Sequence, residues 1–330
     1  MDNTTQILQG NFTAPGFALT LDLPGGVDWM EVYDYTELAA ATNTHYGKHY
    51  WQRGMVAGTG IGYLYGATPC LTTAALVAPN GFTLVDSSTQ TLGAAVAVTN
   101  VTAANPPLVL TGATAGVTAN DTIIRLINIV GGQQVSGMDF SAGAVVANTS
   151  IALAHMPQPI AATTGFYRIV NYDPIFYPRR RFVTGITAAA NAVVRMSVTH
   201  DYVVGQKVRL IVPAAFGMVE ANGLVGTILA SDNVGTTGHN TITLDIDSTA
   251  FTAFAFPLTG AVPFTYAEVV PLGEDTAVAL FLGTDILSDA TINTGYNGMK
   301  LGYDATAVGA GPAGITGHAM YWRAGKSCNV

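Results

Sequence analysis

At 330 residues, with 49% hydrophobic and only 10% charged residues, the chain can hold two or three small domains but falls far short of the charged share of about 25% usual in globular proteins. A formal net charge of −8 excludes a nucleic-acid glove, which needs a basic face. No apolar run approaches the ~18 residues of a membrane-spanning helix, and the start MDNTTQILQG lacks the basic-then-apolar pattern of a secretion signal, so a soluble protein made in a cytoplasm is expected.

Sparse charge on a long chain points to surface buried against neighbouring subunits, where charge is costly to desolvate. A very stable, sparsely charged secreted β protein is the alternative. Cys70 and Cys328 are too few for a disulfide framework or a cysteine-based zinc site and read as free thiols.

Residues 1–93 read as an N-terminal β domain. Phe17, Leu19, Leu21 and Leu23 share one phase of a strand that ends at Pro24-Gly25-Gly26. Trp29–Tyr35 alternates again, with Glu31 in the polar phase. Tyr46–Tyr65 predicts two strands with a bend near Arg53-Gly54 or Gly58, and Gly81–Val85 another strand.

Residues 94–166 and 183–267 read as two copies of one small β-barrel-like module. Val98-Thr-Asn-Val-Thr-Ala103 matches Val183-Thr-Gly-Ile-Thr-Ala188, and Asp121–Leu126 matches Gly205–Leu210. Val135–Met138 matches Ala221–Leu224, and Ala144–Leu153 corresponds to the segments at Thr227 and Thr241. Two copies are too few for a solenoid, so tandem domains are expected. Between them, 167–182 reads as an extended connector carrying Tyr172, Phe176, Tyr177 and the triplet Arg179-Arg180-Arg181.

After Ala267 the pattern changes. Asp275–Leu282 is a strand or short helix, and Ile286–Ile292 is ambiguous. The tail Ala319–Lys326 echoes Tyr50-Trp-Gln-Arg-Gly54, so the C-terminal segment 268–330 is expected to pair with the N-terminal domain. The fold class is therefore all-β and multidomain: tandem small barrel or sandwich modules flanked by a β domain built from both chain ends.

Four patterns test for chemistry. Val308-Gly-Ala-Gly-Pro-Ala-Gly314 spells G-x-G-x-x-G, but no buried strand precedes it and no acidic residue follows it, so it reads as a flexible loop. His45 and His49 have the i, i+4 spacing of a metal clamp without a helical pattern around them. His200-Asp201 lacks a nearby nucleophile motif and reads as turn architecture. Asp245 and Asp247 alternate as on a solvated strand face. No catalytic, cofactor or metal site is expected, and the protein reads as a non-enzyme. In an acidic chain, Arg179, Arg180 and Arg181 read as interface anchors that fork carboxylates. Trp29, Trp51, Tyr172, Phe176 and Tyr177 read as aromatic anchors buried between subunits.

The run Thr199-His-Asp-Tyr-Val-Val-Gly-Gln-Lys-Val-Arg-Leu210, with Phe216-Gly-Met218, Asn222-Gly-Leu224 and Gly226-Thr-Ile228, resembles a small β-barrel module found in phage proteins. That module is similar to the first catalytic cysteine half-domain of ubiquitin-activating enzymes. Trp51-Gln-Arg-Gly-Met55 and Tyr321-Trp-Arg-Ala-Gly-Lys326 resemble segments of structural proteins of tailed phages. The resemblance implies a virion component, most simply a tail or neck accessory or fibre-anchoring protein. A capsid decoration protein is the close second, and a carbohydrate-binding or glycan-cleaving β protein the rival from another class. The implied partners are other virion proteins (tail, neck or capsid) and further copies of the chain, with no nucleic acid, membrane or cofactor. Ubiquitin chemistry is not implied, because the chain has no adenylation motif and no placed catalytic cysteine.

Overall fold

Side chains that alternate along the chain become strands with one buried and one open face. The computed structural model describes residues 7–23, 27–40, 45–65, 71–86, 92–120, 122–157, 160–171, 177, 179–232, 240–257, 265–273, 297–304 and 311–325. The segments at Asp275–Leu282 and Ile286–Ile292, both cysteines, Tyr172 and Phe176 lie outside these residues.

The end domain is a two-layer sandwich. Its large sheet contains β1 (Ile7–Thr13), β3 (Trp29–Asp34), β4 (Tyr46–Gln52), β5 (Gly60–Tyr65), β6 (Leu71–Leu76) and β22 (Ala319–Gly325). The order is β1-β22-β3-β4-β5-β6, so the last strand of the chain sits between the first and the third, as the echo of Tyr50–Gly54 in the tail predicts. A small sheet, β2 (Leu19–Asp22), β21 (Asn297–Leu301) and β7 (Phe82–Asp86), covers the inner face. Met30, Val32, Trp51, Met320 and Trp322 from the large sheet share a core with Leu19, Leu21, Phe82, Met299 and Leu301. The one α-helix among the described residues, α1 (Tyr35–Ala39), is a single turn capped by Asp34, whose carboxylate accepts from Glu37 N at 3.0 Å.

The first module comprises β8 (Val96–Val98), β9 (Asn100–Thr102), β10 (Leu108–Leu110), β11 (Ile123–Val130), β12 (Asp139–Val146), β13 (Ser150–Leu153) and β14 (Thr164–Ile169), in the order β8-β14-β11-β12-β13-β10-β9. Only Thr99 separates β8 from β9, and a reciprocal bridge between Val101 and Ala162 closes the ring. The second module is a closed barrel of β15 (Arg181–Ile186), β16 (Val193–Met196), β17 (Lys207–Ile211), β18 (Val225–Ser231), β19 (Thr241–Leu244) and β20 (Glu268–Pro271). Counting β8 and β9 as one strand, both rings run first, sixth, third, fourth, fifth, second and back to first.

Backbone hydrogen bonds align the copies residue by residue. Leu126 N donates to Met138 O and Leu210 N to Leu224 O; Gly137 N returns to Leu126 O and Gly223 N to Leu210 O. Thr102 Oγ1 accepts from Leu108 N as Thr187 Oγ1 accepts from Val193 N. Gly137 and Gly223 hold φ of 89° and 83°, a left-handed turn that admits glycine at no steric cost. On this alignment Thr227 corresponds to Ser141, three residues before the Ala144 suggested by composition.

Two boundaries differ from the sequence reading. Tyr167–Ile169 complete β14, and Arg181 and Phe182 begin β15, so the connector is shorter than 167–182. Glu268–Pro271 supply the sixth barrel strand instead of opening a C-terminal segment. In both cases the ladder decides, because closure needs a last strand whose partner is distant in sequence. The two barrels are fused through one continuous apolar core running from Val98 to Val269. Ser141 N donates to Ser197 O at 3.0 Å, Thr184 Oγ1 donates to His155 O at 2.7 Å, and Tyr266 Oη donates to Ser136 O across the joint.

Candidate interaction surfaces

The arginine triplet is not a surface. Arg179, Arg180 and Arg181 are all buried, and their partners come from the same chain. Arg179 Nη1 donates to Asp201 Oδ2 at 2.8 Å, and its guanidinium lies 5.4 Å from the Tyr202 ring centre. Arg180 pairs with Glu268 in the interior. Arg181 donates from Nε to Thr199 O at 3.0 Å and lies 4.7 Å from the Tyr177 ring centre. Tyr177 Oη donates to Asp139 Oδ2 at 2.8 Å, and Arg125 grips that carboxylate bidentately at 2.7 and 3.0 Å. The network stitches the connector to both barrels. Arg179–Arg181 and Tyr177 therefore anchor the chain to itself and not to a neighbouring subunit.

The electrostatics follow burial against pairing. Burial pushes the Asp201 carboxyl up, but the Arg179 and Arg181 guanidiniums outweigh it and hold the group below the usual carboxylate range. At Glu268 burial wins over Arg180 and the carboxyl is raised. Among the described residues Glu268 Oε1 has no hydrogen-bond partner, which leaves the ionised form poorly compensated.

The sequence motifs for chemistry resolve into structure. His200 Nδ1 accepts from Tyr202 N at 3.1 Å, so Nε2 carries the proton and donates to Asp232 Oδ1 at 2.9 Å and Thr241 O at 3.1 Å. His200 thus fixes its turn, whereas Asp201 turns to the arginines. Burial opposes ionisation of Asp232, yet the donors from His200 and Thr241 hold it far below the usual range. His45 meets Glu37 at 3.1 Å while His49 packs edge-on against Tyr46, so the two imidazoles serve different contacts. Among the described residues there is no group of three or more metal-ligating side chains.

Asp245 and Asp247 follow β19 instead of lying on it. Asp245 accepts from Thr227 N at 2.5 Å, and Asp247 accepts from Thr249 N at 3.0 Å. Two glycines of the G-x-G-x-x-G run, Gly311 and Gly314, serve close packing. A Cβ on Gly311 would run into Asn80 O and Gly302 O, and one on Gly314 into Met320 Sδ.

Trp51 is also buried, on the inner face of the large sheet. Trp29 stays half-buried on the outer face. Register places Tyr321, Tyr33, Lys48 and Tyr63 in one cross-strand row and Arg323, Glu31 and Tyr50 in the next. Glu31 is the centre: it meets Lys48 Nζ at 2.7 Å, Arg323 Nε at 2.6 Å and Tyr33 Oη at 2.7 Å. Burial raises its carboxyl, but these three donors outweigh burial and lower it. Arg323 lies 6.0 and 5.7 Å from the Trp29 and Tyr33 ring centres, and Lys48 lies 5.4 and 5.5 Å from those of Tyr33 and Tyr63. Rings and cations therefore interleave across four strands. The same face continues into a groove of about 390 Å³ beside α1, lined by Asn11, Thr13, Tyr35, Ala319 and Tyr321 among others. The alternation of Trp29–Tyr35 carried the signal for Trp29, Glu31 and Tyr33. The contributions of Lys48, Tyr63 and Arg323 depend on register.

A scan against protein-family models and a search of curated proteins find no match to this chain.

Acid should loosen the joint between the barrels. Burial, reinforced by Arg195 and opposed by Asp232, lowers the His155 imidazole from 6.5 to about 4. The unfolded chain then takes up a proton at this site near pH 6.5 and the folded one only near pH 4, so stability falls as pH drops through that window. Asp201 and Asp232, lowered in the fold, contribute stability above their unfolded values and lose it below, whereas raised Glu268 works in the opposite direction. Urea midpoints should show the protein about 1–2 kcal/mol less stable at pH 5 than at pH 7 through His155 alone. His155→Gln should remove that share; an unchanged pH slope would rule the group out.

Proposed function

We propose that this protein is a structural component of a tailed-phage virion, acting by subunit assembly as a tail or neck accessory or fibre-anchoring protein. The observation that carries the assembly reading is the outer face of the large sheet, where Trp29, Tyr33 and Tyr63 interleave with Arg323 and Lys48 around Glu31. Aromatic residues and arginine dominate the energetic centres of protein interfaces: the rings bury large areas with little loss of side-chain freedom, and the planar guanidinium makes several hydrogen bonds at once and stacks on rings. In a chain with 10% charged residues, such a face is suited to a partner. The phage setting rests on the resemblance of residues 199–228, 51–55 and 321–326. Locked barrels and sparse charge fit a building block, and capsid decoration would use the same face at another position in the particle.

The glycan-binding reading draws on the openness of that face and of the groove between Tyr35 and Tyr321. Against it, rings engaged by cations are less available to stack on a sugar. Cryo-EM of purified particles is the decisive experiment: density for the chain with the Trp29–Tyr33–Tyr63 face against another subunit is expected. A protein absent from particles that binds oligosaccharides in titration calorimetry would overturn the assembly reading.

A further inference from the structure

The duplicated barrels dock on each other through unlike faces, and each barrel keeps the counterpart of the face its twin has used. On the first barrel, Ser136–Asp139 are buried beneath the second barrel and the connector. Their counterparts on the second barrel, Asn222–Val225, are all exposed. Met138 is 0% exposed, whereas its equivalent Leu224 is 36% exposed, and Val225 beside it and Leu229 further along β18 are 41% and 48% exposed. The converse holds on the other side of the joint. Phe182, Thr184, Ser197 and Tyr266 of the second barrel are buried against the first, while their counterparts Ala97, Thr99, Gly112 and Thr164 are exposed. A Cβ on Gly112 would meet nothing within 4 Å, and Phe166, next to Thr164, is 41% exposed.

We propose that a second copy of this chain docks its first barrel, through the Thr99–Gly112–Thr164–Phe166 face, onto the Asn222–Val225 face of the second barrel, repeating the joint made within the chain. This rests on the assembly reading and names the partner. A module that covers one neighbour with an apolar face and is covered in turn leaves two complementary ends, as stacked repeats do. The free face at Leu224, Val225 and Leu229 is apolar, with Arg209 beside Val225 in the ladder, and the face at Ala97, Thr99, Gly112, Thr164 and Phe166 carries no charge. Arg209 is the charge next to the Leu224 patch, and its long stem lets the guanidinium stay in solvent at the rim of the contact. Because the faces differ, the contact is heterologous and propagates head to tail, closing into a ring or extending as a helical array according to the rotation per copy.

Sedimentation velocity on the full chain over a concentration series tests this, using Leu224→Arg on one face and Phe166→Arg on the other. Both positions are on the surface, and Leu229→Arg replaces Leu224→Arg if circular dichroism shows loss of fold. The wild type should form species larger than two chains, and each variant alone should stay monomeric over the same range. An equimolar mixture of the two variants should form a two-chain species and stop there, since it retains one intact contact. A monomeric wild type, association unaffected by either substitution, or a mixture that stays monomeric would each overturn the proposal. A wild type that is monomeric yet present in purified particles sinks the barrel contact alone. A protein that associates as described yet is absent from particles sinks the virion reading alone.

Discussion

Glu268→Ala is expected to cost about 3–5 kcal/mol, the penalty for leaving the buried Arg180 guanidinium without its carboxylate. The loss should appear as a lower urea midpoint of the fused barrels, because Glu268 lies on β20, the strand that closes the second one. The instructive companion is the double variant Arg180→Met with Glu268→Leu. Removing both charges removes the desolvation cost along with the attraction, so it should return to within about 1 kcal/mol of the parent. A single substitution that leaves the midpoint unchanged would mean that contacts other than Glu268 compensate Arg180.

Gly273→Ala should have the second large effect, at the joint between the end domain and the second barrel. Gly273 has φ of 83°, and a Cβ there would run into Gln9 O on β1. The left-handed backbone disfavours any side chain, and the clash is with backbone that has no rotamer to yield. Nearby, Thr13 N donates to Val204 O at 2.9 Å, Asn11 Nδ2 donates to Gly205 O at 2.9 Å, and Val203 enters the core of the end domain. A loss of about 2–4 kcal/mol is expected, combining left-handed strain with overpacking. Limited proteolysis should then release the end domain from the barrels; an unaltered digestion pattern would show that β1 can move aside.

The readings that succeeded were local. Turn glycines, β-branched runs and the alternation at Phe17–Leu23 and Trp29–Tyr35 specify strands over a few residues, and those strands formed. The duplication was legible for the same reason: Val98–Ala103 and Val183–Ala188 keep the same turn-making threonine, which makes the same bond in both copies. The readings that failed concerned destinations. An arginine triplet in an acidic chain looks like a surface anchor until Asp201 and Glu268, 22 and 88 residues away, are brought beside it. Trp51 and Trp29 stand in similar local patterns, yet the small sheet covers the face of one and leaves that of the other open.

The sequence by itself determined an all-β chain with a repeated module and ends that pair, because period, turn chemistry and duplication are written in neighbouring residues. Only the tertiary structure decided which charges are internal, which aromatics face outward and which barrel faces remain uncovered. Those properties depend on sheet register and ring closure between segments far apart in the chain, where one residue of slip would exchange the buried face for the open one.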